Sequence, residues 1–201
     1  MVNEPVAPPT TDTRTALLSA AERLFLADGY DKVSVRAICA AADANAAAVH
    51  YHFGSKTDLT VALLQDRLGP LWRDPLATLQ PGIDPIDRVV DVVLRPLVDL
   101  HHDPLGHLHL QLLCRFVLAH PNADWTGTWF RLEPWADFLT ATVPGLTSSA
   151  AARRWSLAFE LMLVGFGGPE QQPPAAITAL TDFVVAGLSA SASTSPTPEE
   201  I

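Results

Sequence analysis

Apolar residues recur at three- and four-residue steps through most of the chain, and no stretch of useful length alternates apolar and polar residues. The first such segment starts near Asp12 or Thr13, either of which can cap a helix, and ends at Gly29. Its apolar face comprises Leu17, Leu18, Ala21, Leu24 and Phe25. The pattern predicts an all-α protein of about nine helices.

Three further helices are predicted close together after Gly29. They run from Ser34 to about Ala42, from 46 to 52, and onward from a cap at Ser55. Asp43-Ala44-Asn45 forms a tight turn, because aspartate tolerates left-handed geometry and asparagine is a strong helix N-cap. Val49 and Phe53 are expected to face inward, and Gly54 stops the third helix.

The rest of the chain continues the helical pattern, broken by prolines and glycines. Gly69-Pro70 is a candidate kink or interruption of the fourth helix. Later helices are predicted at 85–102, 105–120, 126–142, 148–166 and 174–189. We predict a flexible tail at 1–11, a first domain at 12–66, a second at 67–189 and a second tail at 190–201.

Composition narrows the class of protein. The chain has 201 residues, 48% of them hydrophobic and 17% charged, so it can bury a core. The net charge of -9 argues against coating nucleic acid or membrane by bulk charge, and any nucleic-acid binding must rest on a local patch. Cys39 and Cys114 lie in apolar runs, as free thiols do. Without a signal pattern or a long apolar run, we expect a soluble, cytoplasmic protein that does not bind membranes.

Residues 45–56, NAAAVHYHFGSK, contain two histidines, a tyrosine, a phenylalanine and a lysine in the last seven positions. Together with the helix before it, this segment forms two short helices joined by a tight turn and preceded by a longer helix. That arrangement is a helix-turn-helix, whose second helix projects a row of side chains into the major groove of DNA.

The segment TRTALLSAAERLFLADGYDKVSVRAICAAADANAAAVHYHFGSKTDLTVALL resembles the N-terminal domain of the TetR family of bacterial transcriptional repressors. The matching features are the Gly29-Tyr30 pair, the opening Ser34-Val35-Arg36, the turn, and the final run of Tyr51, His52, Phe53 and Lys56. The resemblance implies a three-helix helix-turn-helix domain followed by an α-helical domain that binds a ligand and makes a dimer. It also implies a ligand-responsive repressor that binds a palindromic operator in double-stranded DNA as a homodimer and is released by a small molecule. An activator, or a DNA-binding protein without a ligand, stays open because a fold does not set regulatory sign.

The resemblance assigns DNA-contacting roles to nine residues: Ser34, Arg36, Asn45, Ala46, Ala47, His50, Tyr51, His52 and Lys56. His50 faces the groove, Tyr51 and His52 contact the backbone, and Lys56 meets a phosphate. Arg36 either contacts the backbone or pairs with Asp31. Where the family usually has glycine in the turn, this chain has Asp43, and its recognition helix lacks the arginine that would bind guanine.

The second domain offers candidates for a ligand site and a dimer interface. Trp125 and Trp129 line a cavity or pack in the core, and Arg115 anchors an anionic head group or pairs with an acid. A loose similarity to the fatty-acyl-responsive subset of the family favours an apolar effector. Two late helices offer apolar faces that make a four-helix dimer interface or complete the monomer core. The faces comprise Trp155, Phe159, Met162, Phe166, Ile177, Leu180, Val184 and Leu188.

Residues 101–109, HHDPLGHLH, carry four histidines and Asp103. Histidine and aspartate bind zinc or nickel, so a metal sensor or small metalloenzyme is the alternative function. However, Pro104 and Gly106 predict a turn between helices, and His107 and His109 do not share a helix face. We therefore expect solvated histidines and no metal or other cofactor. The chain has no nucleophile motif and no phosphate-binding glycine loop, so we do not expect an enzyme.

Overall fold

The computed structural model describes residues 10–120, 123–168 and 170–192, with the backbone alone for 10–12 and Trp129. Over these ranges the chain forms α-helices joined by turns and contains no strand, which confirms the all-α prediction. The helices are α1 (Thr10–Asp28), α2 (Val35–Ala41), α3 (Ala48–Phe53), α4 (Lys56–Ala77), α5 (Ile86–His102), α6 (Pro104–Ala119), α7 (Glu133–Thr142), α8 (Ser148–Phe166) and α9 (Pro174–Ser189). Short 3-10 turns occupy Tyr30–Lys32 and Thr128–Phe130. Most of the two predicted tails falls outside the described residues.

Local capping chemistry sets the limits of the first helices. Gly29, with φ of 84°, follows α1, and Asp43 adopts φ of 51° in the turn after α2. The Ser34 hydroxyl accepts a hydrogen bond of 3.1 Å from the backbone N–H three residues on, and Ser55 does the same for α4 at 3.0 Å. These four residues place α2 and α3 close together against α1.

The first core lies among α1, α2, α3 and the first half of α4. Its centre includes Leu17, Ile38, Val49, Leu59 and Leu63, each fully buried. Helix α6 also reaches this core with Leu112, Leu113 and Phe116. The N-terminal domain therefore packs directly against a helix of the second domain.

Helix α4 connects the two domains without a break. It continues through Pro70 and Pro75, so the predicted interruption at Gly69-Pro70 is wrong. Its first half packs in the N-terminal core through Leu68, and Leu76 packs in the second core. The predicted boundary between residues 66 and 67 falls inside this helix.

The second core is formed by α5, α7, α8 and α9, with the end of α4 and Leu110 of α6. The predicted helix at 126–142 is shorter than expected, because α7 starts only at Glu133. Pro134 fits the first turn of a helix but not its interior, and Gly127 donates its backbone N–H to the Gln65 side chain. None of the described helices is long and apolar enough to span a bilayer.

Candidate functional site

Helix α3 presents a polar face supported by a buried one. Ala48 and Val49 are buried in the N-terminal core. The next two residues, His50 and Tyr51, are exposed, and 80% of the Tyr51 side-chain surface faces solvent. This division of the helix matches the arrangement expected of a recognition helix, with Val49 inward as predicted.

The turn that leads into α3 differs in detail from the turn predicted from the sequence. The helix begins at Ala48, and its N-cap position is Ala47, which makes no side-chain cap. The Asn45 carboxamide oxygen instead accepts from the backbone N–H of Ala47 at 2.9 Å, and the Asn45 carbonyl accepts from Ala48 at 2.8 Å. Asn45 thus closes the turn that leads into the helix. Ala46 and Ala47 are exposed on this turn.

A hydrogen bond at the end of α3 sets the tautomer of His50. Its Nδ1 lies 2.8 Å from the carbonyl oxygen of Gly54. Because a carbonyl only accepts, Nδ1 carries the hydrogen, and in the neutral ring Nε2 is an acceptor. An outward Nε2 acceptor suits the exocyclic amino group of cytosine or adenine, which donates in the major groove.

Aromatic rings continue along the exposed side of α3. The Tyr51 and His52 rings are 5.0 Å apart in an edge-to-face arrangement, and His52 is 6.3 Å from Phe53. Phe53 is half-buried against the core, and its ring lies 5.1 Å from the Arg14 guanidinium carbon. Arg14 was not among the predicted interface residues, because nothing in the local sequence relates the start of α1 to the end of α3.

The remaining predicted DNA contacts lie around α3. Ser34 and Arg36 are exposed at the start of α2, and no ion pair joins Arg36 to Asp31 in the described structure. The Lys56 ammonium is half-buried and donates to the carbonyl of Tyr30 at 2.6 Å. It also lies 4.0 Å from the Tyr30 ring centroid. Lys56 therefore binds its own domain, a contact that the sequence did not suggest.

Tyr30 packs at the corner after α1. Its ring centroid lies 5.3 Å from that of Phe25 and 5.7 Å from that of Phe116. Since Phe116 belongs to α6, this aromatic cluster joins the N-terminal domain to the second domain.

A polar cluster makes a second connection between the domains. The Glu22 carboxylate of α1 accepts two hydrogen bonds of 2.9 Å from Arg67 of α4. It accepts a third, of 2.8 Å, from Nε2 of His109 in α6. Burial raises the pKa of Glu22, but the hydrogen bonds and charges of Arg67 and His109 outweigh this, and the pKa lies below its ordinary value. The carboxylate is therefore ionised at neutral pH and holds three helices together.

A cavity of about 860 Å³ lies between α4, α5, α6, α8 and the residues leading into α7. Its wall is mainly aromatic and aliphatic, and its charged side chains, Arg73, Arg131 and Glu160, are exposed. The aromatic members described are Trp72, Trp125, Phe130, Trp135 and Phe159. The size and lining fit a site for a small, largely apolar molecule.

The predicted ligand-binding residues lie in different environments. Trp125 lines the cavity and stacks on Phe130, with ring centroids 5.1 Å apart. The side chain of Trp129 lies outside the described part of the chain. Arg115 is exposed and does not line the cavity, so it is not placed to anchor the head group of a ligand there. It shares an outward stripe of α6 with Leu108 and Leu118, while the buried residues of α6 face the other way.

The four histidines of 101–109 lie in helices and not in a loop, and only His102 is exposed as expected. They belong to the end of α5 and the first turns of α6, and His101 and His109 are buried. His101 Nε2 accepts from the backbone N–H of Gln172 at 2.6 Å, and its Nδ1 lies 3.1 Å from Nδ1 of His107. Burial, followed by the nearby rings of His107 and His102, lowers the pKa of His101.

His107 and His109 point in different directions, as their two-residue spacing predicted, whereas His101 and His107 lie side by side. Among the described residues, no three histidine, cysteine, aspartate or glutamate side chains come together as metal ligands. The buried rings instead connect α5 and α6 to the segment between α8 and α9 and to α1.

The predicted dimer residues lie on the inner faces of α8 and α9. Trp155, Met162, Phe166, Val184 and Leu188 are buried within the single chain. Phe159, Ile177 and Leu180 pack against the same core. The five buried residues are therefore not available to a partner subunit, because they complete the monomer core, whereas the dimer role of the three half-buried residues stays a prediction. The outer faces carry a second apolar set, with Leu157 66%, Val164 59% and Phe183 70% exposed.

Comparisons with known proteins agree with this geometry. A sequence profile of bacterial regulatory proteins of the tetR family matches residues 17–63. The Escherichia coli K12 transcriptional regulator UidR is 31% identical over 97 residues, which cover 47% of this chain and 45% of UidR. The nicotine-responsive transcriptional repressor HdnoR of Paenarthrobacter nicotinovorans is 29% identical over 140 residues, 67% of this chain and 62% of HdnoR. The alignments with these relatives thus span about half to three fifths of their length.

The fold of the whole chain also has solved counterparts. NalD of Pseudomonas aeruginosa, the secondary repressor of the MexAB-OprM multidrug efflux pump, superposes with a TM-score of 0.60 at 23% identity. The match covers 88% of this chain and 97% of NalD. A helix-turn-helix with a three-helix core, joined to a helical domain with a cavity, is the architecture that this chain shares with NalD. The profile match adds that residues 17–63 of this chain are similar to bacterial regulatory proteins of the tetR family.

Proposed function

We propose that the protein is a cytoplasmic, non-enzymatic repressor that binds a palindromic DNA operator as a homodimer and is released by a small molecule. The observation that carries the proposal is helix α3, whose inner residues are buried while His50 and Tyr51 face outward next to exposed Ala46 and Ala47. A helix-turn-helix that offers small and aromatic side chains in this way can enter the major groove.

The residues around α3 have separable roles in this proposal. His50 contacts base edges through its Nε2 acceptor, and Ala46 and Ala47 allow close approach and contact thymine methyl groups. Tyr51, His52, Ser34, Asn45 and Arg36 contact the sugar-phosphate backbone. Tyr51→Ala should weaken binding to all duplexes by a similar factor, whereas His50→Ala should change the preferred base at one position of each half-site. Binding titrations on duplexes with single base changes distinguish the two effects, and a His50 variant with unchanged preference at every position would refute its role.

The proposed effector binds in the aromatic cavity. The wall of tryptophan, phenylalanine and leucine side chains suits an apolar molecule with a flat ring system, because aromatic rings stack on one another. HdnoR is named as nicotine-responsive and NalD as the repressor of a multidrug efflux pump, so both relatives have names linked to small organic molecules. We expect naphthalene derivatives to raise the melting temperature, and Trp125→Ala to reduce this shift. An equal shift in the variant would exclude Trp125 from the site.

The proposed dimer uses the outer faces of α8 and α9. Leu157, Leu161 and Phe183 form an exposed apolar strip beside a shallow groove that reaches Gly187. A twofold axis would bring two such strips together and bury them, giving a four-helix interface. Phe183→Asp should produce a monomer in analytical ultracentrifugation at micromolar concentration. Ile83→Asp, at a 75% exposed site away from these helices, is the control and should leave the mass unchanged.

Effector release requires that the cavity and α3 communicate. Helices α4 and α6 both line the cavity, and both hold Glu22 of α1 through Arg67 and His109. A ligand that changes the spacing of α4 and α6 would alter the position of the N-terminal domain. The two recognition helices of a dimer would then no longer match successive major grooves, and operator affinity would fall.

A further inference from the structure

The cationic side chains near helix α3 are few. The helix itself contains no lysine or arginine, and the chain has a net charge of -9. Binding to DNA nevertheless requires cations that neutralise phosphates, because this contribution dominates non-specific affinity. The position of each nearby cation therefore decides how the interface holds the DNA backbone.

Lys56, the cation expected from the sequence, is used within the domain. Its ammonium donates to the carbonyl of Tyr30 at 2.6 Å and lies over the Tyr30 ring and 5.8 Å from the Phe25 ring centroid. Burial lowers the pKa of Lys56, and the charge of Asp31 acts in the opposite direction. These contacts tie the start of α4 to the corner after α1, which is a structural role.

Arg14 occupies a different position, at the edge of the exposed face of α3. It lies three and four residues before Leu17 and Leu18, so it continues the buried stripe of α1 beyond the end of the core. Its guanidinium carbon is 5.1 Å from the ring centroid of Phe53, the last residue of α3. The rings of Phe53, His52 and Tyr51 follow one another along the helix, and Arg14 extends this row.

The chemistry of Arg14 suits a phosphate. The side chain is exposed, and no carboxylate pairs with it in the described part of the structure. Stacking on an aromatic ring holds a guanidinium in place while its N–H groups at the edge stay available to bind an oxyanion in two-point fashion. The Arg14 side chain is therefore already held in place. A surface arginine without such a contact would lose more conformational entropy when it binds a phosphate.

We propose that Arg14 is a further phosphate-binding cation beside the recognition helix, in addition to Arg36, and that Lys56 serves the fold. The proposal rests on the proposed DNA-binding function and adds to it a contact from α1. Phe53 supports Arg14 and does not contact DNA itself. One Arg14 from each subunit would bind the backbone flanking each half-site.

The salt dependence of DNA binding tests this assignment. The full-length protein would be titrated by fluorescence anisotropy into a duplex of random sequence at a series of salt concentrations between 50 and 200 mM. Each phosphate contact contributes about 0.9 to the slope of log affinity against log salt. Arg14→Gln should therefore reduce the slope by about 1.8 per dimer, so that the wild type loses about tenfold more affinity than the variant across this range.

Two matched variants serve as controls. Arg23→Gln removes the same charge from an exposed site of α1, nine residues and about two and a half turns away, on the opposite side of the helix. Its slope should equal that of the wild type. Lys56→Gln should keep the wild-type slope but lower the melting temperature.

The outcomes separate the two proposals. An unchanged slope in Arg14→Gln, or an equal loss in Arg14→Gln and Arg23→Gln, would overturn the role of Arg14. So would a reduced slope in a Lys56→Gln protein that melts like the wild type. If the wild type itself showed no salt-dependent DNA binding, the proposed function would fail first, and the role of Arg14 with it.

Discussion

Replacing Glu22 by glutamine should weaken the connection between the two domains. Only 18% of the Glu22 side chain is exposed, and the values are 28% for Arg67 and 9% for His109. Glutamine keeps the size of the side chain but removes its charge and presents an N–H₂ group to one of the three donors. Hydrogen bonds to charged groups contribute about 1.5–3 kcal/mol each, and leaving a partly buried donor unpaired adds to the loss.

We estimate that Glu22→Gln lowers the free energy of unfolding by about 2–3 kcal/mol, since some of the hydrogen bonds persist in weaker form. For a chain of this size that corresponds to a fall in melting temperature of about 5–10 °C. Differential scanning calorimetry at pH 7 measures it. Asp91→Asn is the control, because Asp91 pairs with Arg95 on the surface, where both side chains are more than half exposed. Exposed pairs of this kind contribute about 0.5 kcal/mol.

The pH dependence of the melting temperature provides a second test of the Glu22→Gln substitution. The folded-state pKa of Glu22 is lowered below its ordinary value of 4.5, so its contribution is complete above that pH. The contribution is lost as the pH falls through the folded-state value, because the carboxylate then becomes protonated. The difference between wild type and Glu22→Gln should therefore be largest near neutral pH and shrink in acid. Equal melting temperatures at pH 7, or a difference that grows in acid, would refute the reasoning.

Three further substitutions have defined consequences. The folded-state pKa of His101 is lowered, so wild-type stability should fall as the pH drops below 6.5, and His101→Gln should flatten that part of a melting-temperature profile. Gly106→Ala should destabilise the chain by about 1–3 kcal/mol in urea unfolding, because its Cβ would lie 2.7 Å from the Leu100 carbonyl oxygen. Arg154→Gln should speed amide hydrogen exchange at the end of α9, since Arg154 donates to the carbonyls of Leu188 and Ser191 at 3.1 and 3.2 Å, whereas unchanged exchange would exclude this role.

Most helix limits of the N-terminal domain could be predicted because they depend on local chemistry, although α3 begins at Ala48 and not at 46. Ser34 and Ser55 accept from backbone N–H groups of their own helices, and Asp43 adopts the left-handed conformation that the turn needs. Each of these features involves residues within four positions of one another. The contacts of Lys56 with Tyr30 and of Arg14 with Phe53 span 26 and 39 positions, and no local rule predicts them.

The dimer faces of α8 and α9 could not be assigned from periodicity, since each helix has two apolar stripes. In α8, Trp155 and Met162 are seven residues apart on the inner face, and Leu157 and Val164 have the same spacing on the outer face. Helical spacing identifies both stripes but does not say which one packs within the chain. The larger side chains of the inner stripe suggested an interface, and the structure places them in the monomer core.

For the histidines of residues 101–109, too, local sequence patterns did not predict which side chains are buried. Pro104 and Gly106 predicted a turn, but both belong to α6, whose start the Asp103 carboxylate caps by accepting from the Gly106 N–H at 2.6 Å. The burial of His101 and His109 depends instead on Gln172 and Glu22, which are 71 and 87 positions away. Because these hydrogen-bond partners are distant in sequence, histidines that the sequence predicted to be solvated are buried and have a structural role.

In the proposed function, α3 recognises a specific operator as part of a symmetric dimer. Selection of bound duplexes from a random pool by the purified full-length protein tests this most directly, with Tyr51→Ala selected in parallel. We expect the wild type to enrich an inverted repeat, with half-sites one helical turn or a multiple of it apart, and Tyr51→Ala to enrich it far less. A pool that remains random after repeated selection with the wild type, or enrichment of a site without twofold symmetry, would contradict the account.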